Sequence, residues 1–167
     1  MHTVKFTNFI SRWQAEHTHQ LHKPIKKAVL ISITDPDRPE ADLYHKAWEG
    51  ILRLKFHDMD HQPRAPQSKS DIIFIPQNYI LFNEDNAKEI MNFLAKHEGK
   101  VDTVVAHCEA GISRSAAVAK YVAYAYGLPF PENYMLYNKL VFSTLVATHQ
   151  RAMHAEDGLD HEIPGIE

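Results

Sequence analysis

Cysteine is nearly missing from this chain: one among 167 residues, Cys108. A lone cysteine excludes an internal disulfide and leaves no resolving thiol to pair with an oxidised nucleophile, so a reactive Cys108 belongs in a reducing compartment, and the cytoplasm is expected. Long apolar runs are also lacking. No stretch approaches the roughly 20 residues needed to cross a bilayer, and the first residues do not read as a signal peptide. An excess of charge of one sign is lacking as well: 18 Lys and Arg against 21 Asp and Glu give a net charge of −3. That balance carries no basic footprint for nucleic acid or an anionic membrane, and neither is expected as a partner. No internal repeat or low-complexity segment interrupts the sequence. At 44% hydrophobic the chain fills one core rather than two, so the expectation is a single domain over residues 1–154 and a flexible tail over 155–167. A monomer is the default.

What is present is an alternation of strand-like and helix-like segments. Residues 4–10 open with a candidate strand. Ala28 to Ile33 is a clear one, closed by the turn material Asp35-Pro36-Asp37. A helix is expected from Glu40 to Trp48. From Ile51 to Phe56 the pattern alternates, with Leu52, Leu54 and Phe56 on one face and Arg53 and Lys55 on the other, which predicts a half-buried strand. Residues 60–70 read as a Pro-containing surface loop, and 71–76 return briefly to strand character. Asn86 with Glu89 fits a capping box, followed by Ala87, Ile90, Met91 and Leu94 on one helical face; Gly99 stops that helix. Val101 to Ala106 is a buried strand, and Ser115 to Tyr126 a helix buried nearly all round, ended by Gly127 and Pro129. A mixed helical region follows Pro131 as far as Met153. The fold class is therefore α/β, with a central, mostly parallel sheet of four to five strands flanked by helices.

Between the last strand and the buried helix lies His107-Cys108-Glu109-Ala110-Gly111-Ile112-Ser113-Arg114-Ser115. A thiolate is a nucleophile, an arginine is a bidentate clamp for a tetrahedral oxyanion, and the five residues between them can turn backbone N–H groups toward that anion. A loop from a strand to a helix N-terminus adds the positive end of the helix dipole, which favours an anion and the thiolate form of Cys108 alike. Most lone cysteines are inert packing residues. Cys108 differs because Gly111 relieves a tight loop and Arg114 is an awkward charge beside a buried helix unless it meets an anion.

His-Cys-x-x-Gly-x-Ser-Arg-Ser in this setting resembles the Cys-x5-Arg signature of the cysteine-dependent protein tyrosine phosphatases, and the length resembles their small dual-specificity-like branch. The convincing part runs from about Ala28 to Gly127. The resemblance implies a phosphatase that hydrolyses phosphomonoesters through a phosphocysteine, most naturally protein phosphotyrosine, with phosphoserine and phosphothreonine open, and needs no metal or other cofactor. It implies Cys108 as nucleophile and Arg114, with the amides of Glu109, Ala110, Gly111, Ile112 and Ser113, as the phosphate-binding set. Ser115 then supports the sulfur and His107 organises the loop. A general acid must come from elsewhere, and Asp58, just past the strand ending at Phe56, is the choice, with Asp60 as its rival. The Trp-Pro-Asp sequence of the family is absent, and the insertion over residues 60–76 accounts for the long gap from Asp58 to Cys108. Glu109, Ala110 and Ile112 add no positive charge to the loop, which suits a phosphorylated protein or peptide better than a polyanion. Two rival readings are a catalytically inactive phosphoprotein-binding module and a rhodanese-like sulfurtransferase. The histidines His17, His19 and His22 lie within six residues but lack the partners of a strong metal site, and read as solvated imidazoles.

Overall fold

Among the described residues four strands pair side by side, all parallel, in the order β1-β4-β2-β3. They are β1 (Phe6–Ser11), β2 (Ala28–Thr34), β3 (Gly50–Lys55) and β4 (Thr103–Cys108). The computed structural model describes residues 4–20, 27–60 and 79–159. β2 and β4 occupy the middle, where a parallel sheet is covered on both faces and requires nearly continuous apolar sequence. Ala28-Val29-Leu30-Ile31-Ser32-Ile33-Thr34 meets that requirement and every residue of it is buried. Ser32 is the one interior polar residue of the run, and its partner lies in the candidate site described below.

Helices cover the two faces unequally. On one face α2 (Glu84–His97), α3 (Arg114–Tyr126) and α4 (Lys139–Leu159) enclose the main core, in which Ile31, Val104, Ile90, Val118, Val122 and Leu145 are buried together. Among the described residues the other face carries the short α1 (Arg12–Glu16) and an irregular segment whose Ala41, Leu43 and Trp48 pack on Leu30 and Val105. No helix among the described residues is long and apolar enough to cross a membrane.

That irregular segment corrects the expected helix from Glu40 to Trp48: only a single 3₁₀ turn at His45–Ala47 forms. Its backbone groups are taken by side chains from elsewhere. Arg12 donates to the carbonyls of Pro39 (2.9 Å) and Glu40 (3.0 Å), Arg53 to that of Ala41 (2.9 Å), and Glu16 accepts from the Asp42 N–H (2.8 Å). A backbone satisfied this way gains nothing by coiling.

The helix after the insertion begins earlier than the Asn86–Glu89 pairing implies. Asn83 is the N-cap, and its side chain and that of Asn86 exchange hydrogen bonds with each other's N–H groups. Asn serves at the third helical position as Glu or Gln does in the usual box. Ala87, Ile90 and Leu94 are buried on one face as expected, and Gly99 takes the left-handed φ of +80° past the helix end. Gly127 closes α3 in the same way at +66°. α4 starts only at Lys139, not soon after Pro131, because Asn138 accepts the Val141 N–H at its head (2.9 Å), and it runs past Ala155 to Leu159. The expected strand over 71–76 lies outside the described residues, as does the loop beyond Asp60.

Asn83→Ala removes the side-chain acceptor for the Asn86 N–H and leaves the backbone donor to Asn86 Oδ1 in place; the expected cost is about 1 kcal/mol of stability, read as a lower urea midpoint with an unchanged m-value.

Candidate active site

β4 delivers Cys108 to the carboxyl edge of the sheet, and α3 begins at Arg114 with residues 109–113 as the connection. Gly111 makes the connection possible. Its φ is +71°, and a Cβ there would stand 2.5 Å from the backbone carbon of Ile10 and the nitrogen of Ser11. The loop therefore lies directly on the end of β1, where the Arg12 N–H also donates to the Glu109 carbonyl (3.2 Å). Ser113 stands at the N-cap of α3 without capping it, and its hydroxyl donates to Asp58 Oδ1 instead (2.8 Å). The first amides of α3 keep no side-chain cap, which is the arrangement that receives an anion at a helix head.

Cys108 is buried, and its Sγ lies 3.2 Å from the hydroxyl of the equally buried Ser115. Arg114 is 4% exposed. Its Nη1 donates to Asp35 Oδ1 and to the Phe56 carbonyl, both at 2.7 Å, and its Nε is buried with no hydrogen-bond partner among the described residues. Asp35 and Phe56 sit just beyond β2 and β3, so three parallel strands end around one guanidinium.

Asp58 and Asp60 face different ways. Asp58 Oδ1 accepts from Ser113 Oγ and from Asn138 Nδ2 (2.7 Å), which binds it to the loop. Asp60 turns to the head of α4, accepting the Lys139 N–H on Oδ1 (2.5 Å) and the Leu140 N–H on its carbonyl (3.0 Å). Between these two elements Asn138 is fully buried: its amide also donates to the Met59 carbonyl, and its N–H to that of Ser113 (3.0 Å). Glu109 is exposed near Arg12 (3.7 Å) and Arg38 (3.9 Å), and Ile112 is half exposed at the rim. The Ile112 carbonyl accepts from Tyr134 Oη (2.5 Å), whose phenol is raised above its usual range by burial and then by the charge of Cys108.

His107 is completely buried, and burial lowers its pKa to about 4, against a smaller opposing effect from the Cys108 carbonyl. The ring is thus neutral at pH 7. Its Nδ1 faces that carbonyl (3.4 Å) and must be the protonated nitrogen, so Nε2 accepts from Ser32 Oγ (2.6 Å). A histidine locked in one neutral tautomer organises the end of β4 and does not carry protons.

Sequence reading misses Asp35, Asn138, Ser32 and Tyr134. Ser32 left a signal, as a single hydroxyl inside a strand otherwise fit for burial on both faces. Asp35 left only its place in a turn after a strand, and Asn138 and Tyr134 left none. Of the histidine cluster, His17 stacks on Trp13 (4.4 Å between ring centroids) and bonds its carbonyl (2.7 Å). No group of three or more His, Cys, Asp or Glu among the described residues is placed to hold a metal ion.

Comparison with models of known protein families and with curated proteins gives no match. Among solved structures, one titled "Crystal structure of Tk-PTP in the active form" overlaps 96% of this chain and 93% of its own, at 18% identity and a TM-score of 0.38. An overlap that loose bears on neither residue roles nor substrate.

The His107 ring is expected to titrate near pH 4 by nitrogen-detected NMR. The unfolded ring takes up its proton at about 6.5, so the contribution is fully present above that pH and is lost as pH falls toward 4. The loss amounts to about 3 kcal/mol; a ring that titrates near 6.5 contradicts it.

Proposed function

We propose that this chain is a phosphatase hydrolysing phosphomonoesters, with protein phosphotyrosine as the favoured substrate, and that it works in two steps through a phosphocysteine. The observation that carries the reading is one junction. Cys108 contacts Ser115 at 3.2 Å, Arg114 is held at the head of α3, and Asp58 is hydrogen-bonded to Ser113 of the same connection.

In the first step the Cys108 thiolate attacks phosphorus while the bond to the leaving oxygen breaks, and Asp58 gives that oxygen its proton. The acid proton sits on Oδ2, because Oδ1 is already the acceptor of two hydrogen bonds. Arg114 and the loop amides hold the three equatorial oxygens through the transfer. In the second step water attacks the phosphocysteine and gives its proton to the Asp58 carboxylate, and sulfur leaves as thiolate under the Ser115 hydroxyl. Neutral His107 takes no part in proton transfer. The substrate is a phosphorylated protein or peptide.

Cys108→Ser is expected to abolish turnover of an aryl phosphate while the circular dichroism spectrum stays native, and steady turnover by that variant sinks the mechanism. Asp58→Asn is expected to keep substrate binding and to slow a poor leaving group by on the order of a hundredfold, with a much smaller effect on an activated aryl phosphate. Equal slowing of both removes Asp58 as the acid.

A further inference from the structure

We propose that Asp35 is the positioning residue of the oxyanion clamp, selecting the edge of the Arg114 guanidinium that meets the anion; the inference rests on the phosphatase reading above.

A guanidinium offers five N–H donors in a rigid plane and takes a tetrahedral oxyanion through two parallel bonds from one edge. Which edge is decided by what already holds the group. Among the described residues both bonds of Arg114 fall on Nη1, one to Asp35 Oδ1 and one to the Phe56 carbonyl, each at 2.7 Å. Nη1 has two hydrogens and both are engaged. The Nε–Nη2 edge carries neither bond, and Nε is buried without a partner among the described residues. A buried N–H left unpaired is costly, and an oxyanion over Cys108 is the acceptor that removes the cost.

Of the two anchors, only Asp35 is a side chain. It is one-quarter exposed, its carbonyl closes a turn with the Arg38 N–H (3.1 Å), and its Oδ2 lies 3.8 Å from Arg38 Nε. The chemistry makes two roles separable. As a negative charge, Asp35 repels an incoming dianion, and its removal should tighten binding. As a hydrogen-bond acceptor that fixes the plane of Arg114, its removal should weaken binding. The second role is the one proposed, since a planar clamp misaligned by even an ångström loses much of its value.

The test measures tungstate binding by calorimetry, together with kcat and KM for an aryl phosphate, in the wild-type protein, Asp35→Ala and Asp35→Asn, with thermal unfolding as the check on folding. Asp35→Ala is expected to bind tungstate at least about tenfold more weakly and to lose kcat. Asp35→Asn keeps the acceptor and loses the charge, so it is expected to bind as well as wild type or better, and to retain kcat. Should Asp35→Ala not fold, Asp35→Ser, too short to reach Nη1, replaces it. The proposal is overturned if truncation leaves tungstate binding unchanged or tighter, or if Asp35→Asn weakens it as much as truncation does. A wild-type protein that binds no tungstate overturns the phosphatase reading and this inference together, whereas wild-type binding with an unaffected truncation overturns the inference alone.

Discussion

Arg114 is a buried cation at the wrong end of a helix. The head of α3 is the positive pole of its dipole, where a guanidinium is disfavoured, and at 4% exposure water does not compensate. Two acceptors hold it there, Asp35 from beyond β2 and the Phe56 carbonyl from beyond β3. Neither would reach it in another topology. β2 must lie beside β4, β3 beside β2, and all three must run the same way, so that their carboxyl ends converge on one edge. The apolar character of β2 and β4 follows from the same arrangement, since the strand that delivers Cys108 sits inside the sheet and is covered on both faces.

A second set of contacts joins three remote pieces of chain into one mouth. Asn138 heads α4, and its side-chain and backbone groups reach Asp58, Met59 and Ser113 at once. Tyr134 adds a bond to the Ile112 carbonyl from the segment before it. The connection after Cys108 is thus pinned from below by the close approach of Gly111 to β1 and from above by the segment leading into α4. Rigid support of this kind lets a short loop hold several amides in one direction.

Much of this was legible locally. The four strands, the apolar face of α2, the helix α3 and its glycine terminator follow from patterns of two and of 3.6 residues and from left-handed glycines, all properties of neighbouring residues. The proposed nucleophile and clamp, Cys108 and Arg114, were legible for the same reason, being six residues apart. The segment over 40–48 departs from the expected helix because its conformation depends on Arg12 and Arg53 reaching its carbonyls from remote positions. The cap of α2 was displaced by three residues because Asn86 can be read either as the cap or as the residue that answers it.

By itself the sequence determined the strand-loop-helix junction that carries Cys108 and Arg114, because the turn, the helix head and these two side chains are all encoded within nine consecutive residues. Only the tertiary structure decided what surrounds them. Ser32 supplies the donor to His107 Nε2, Asp58 rather than Asp60 turns to the loop, and Asp35 and Asn138 come to the site across separations of 79 and 80 residues. Contacts at such range leave no local period or motif, because they are created by the order and direction in which the strands pair.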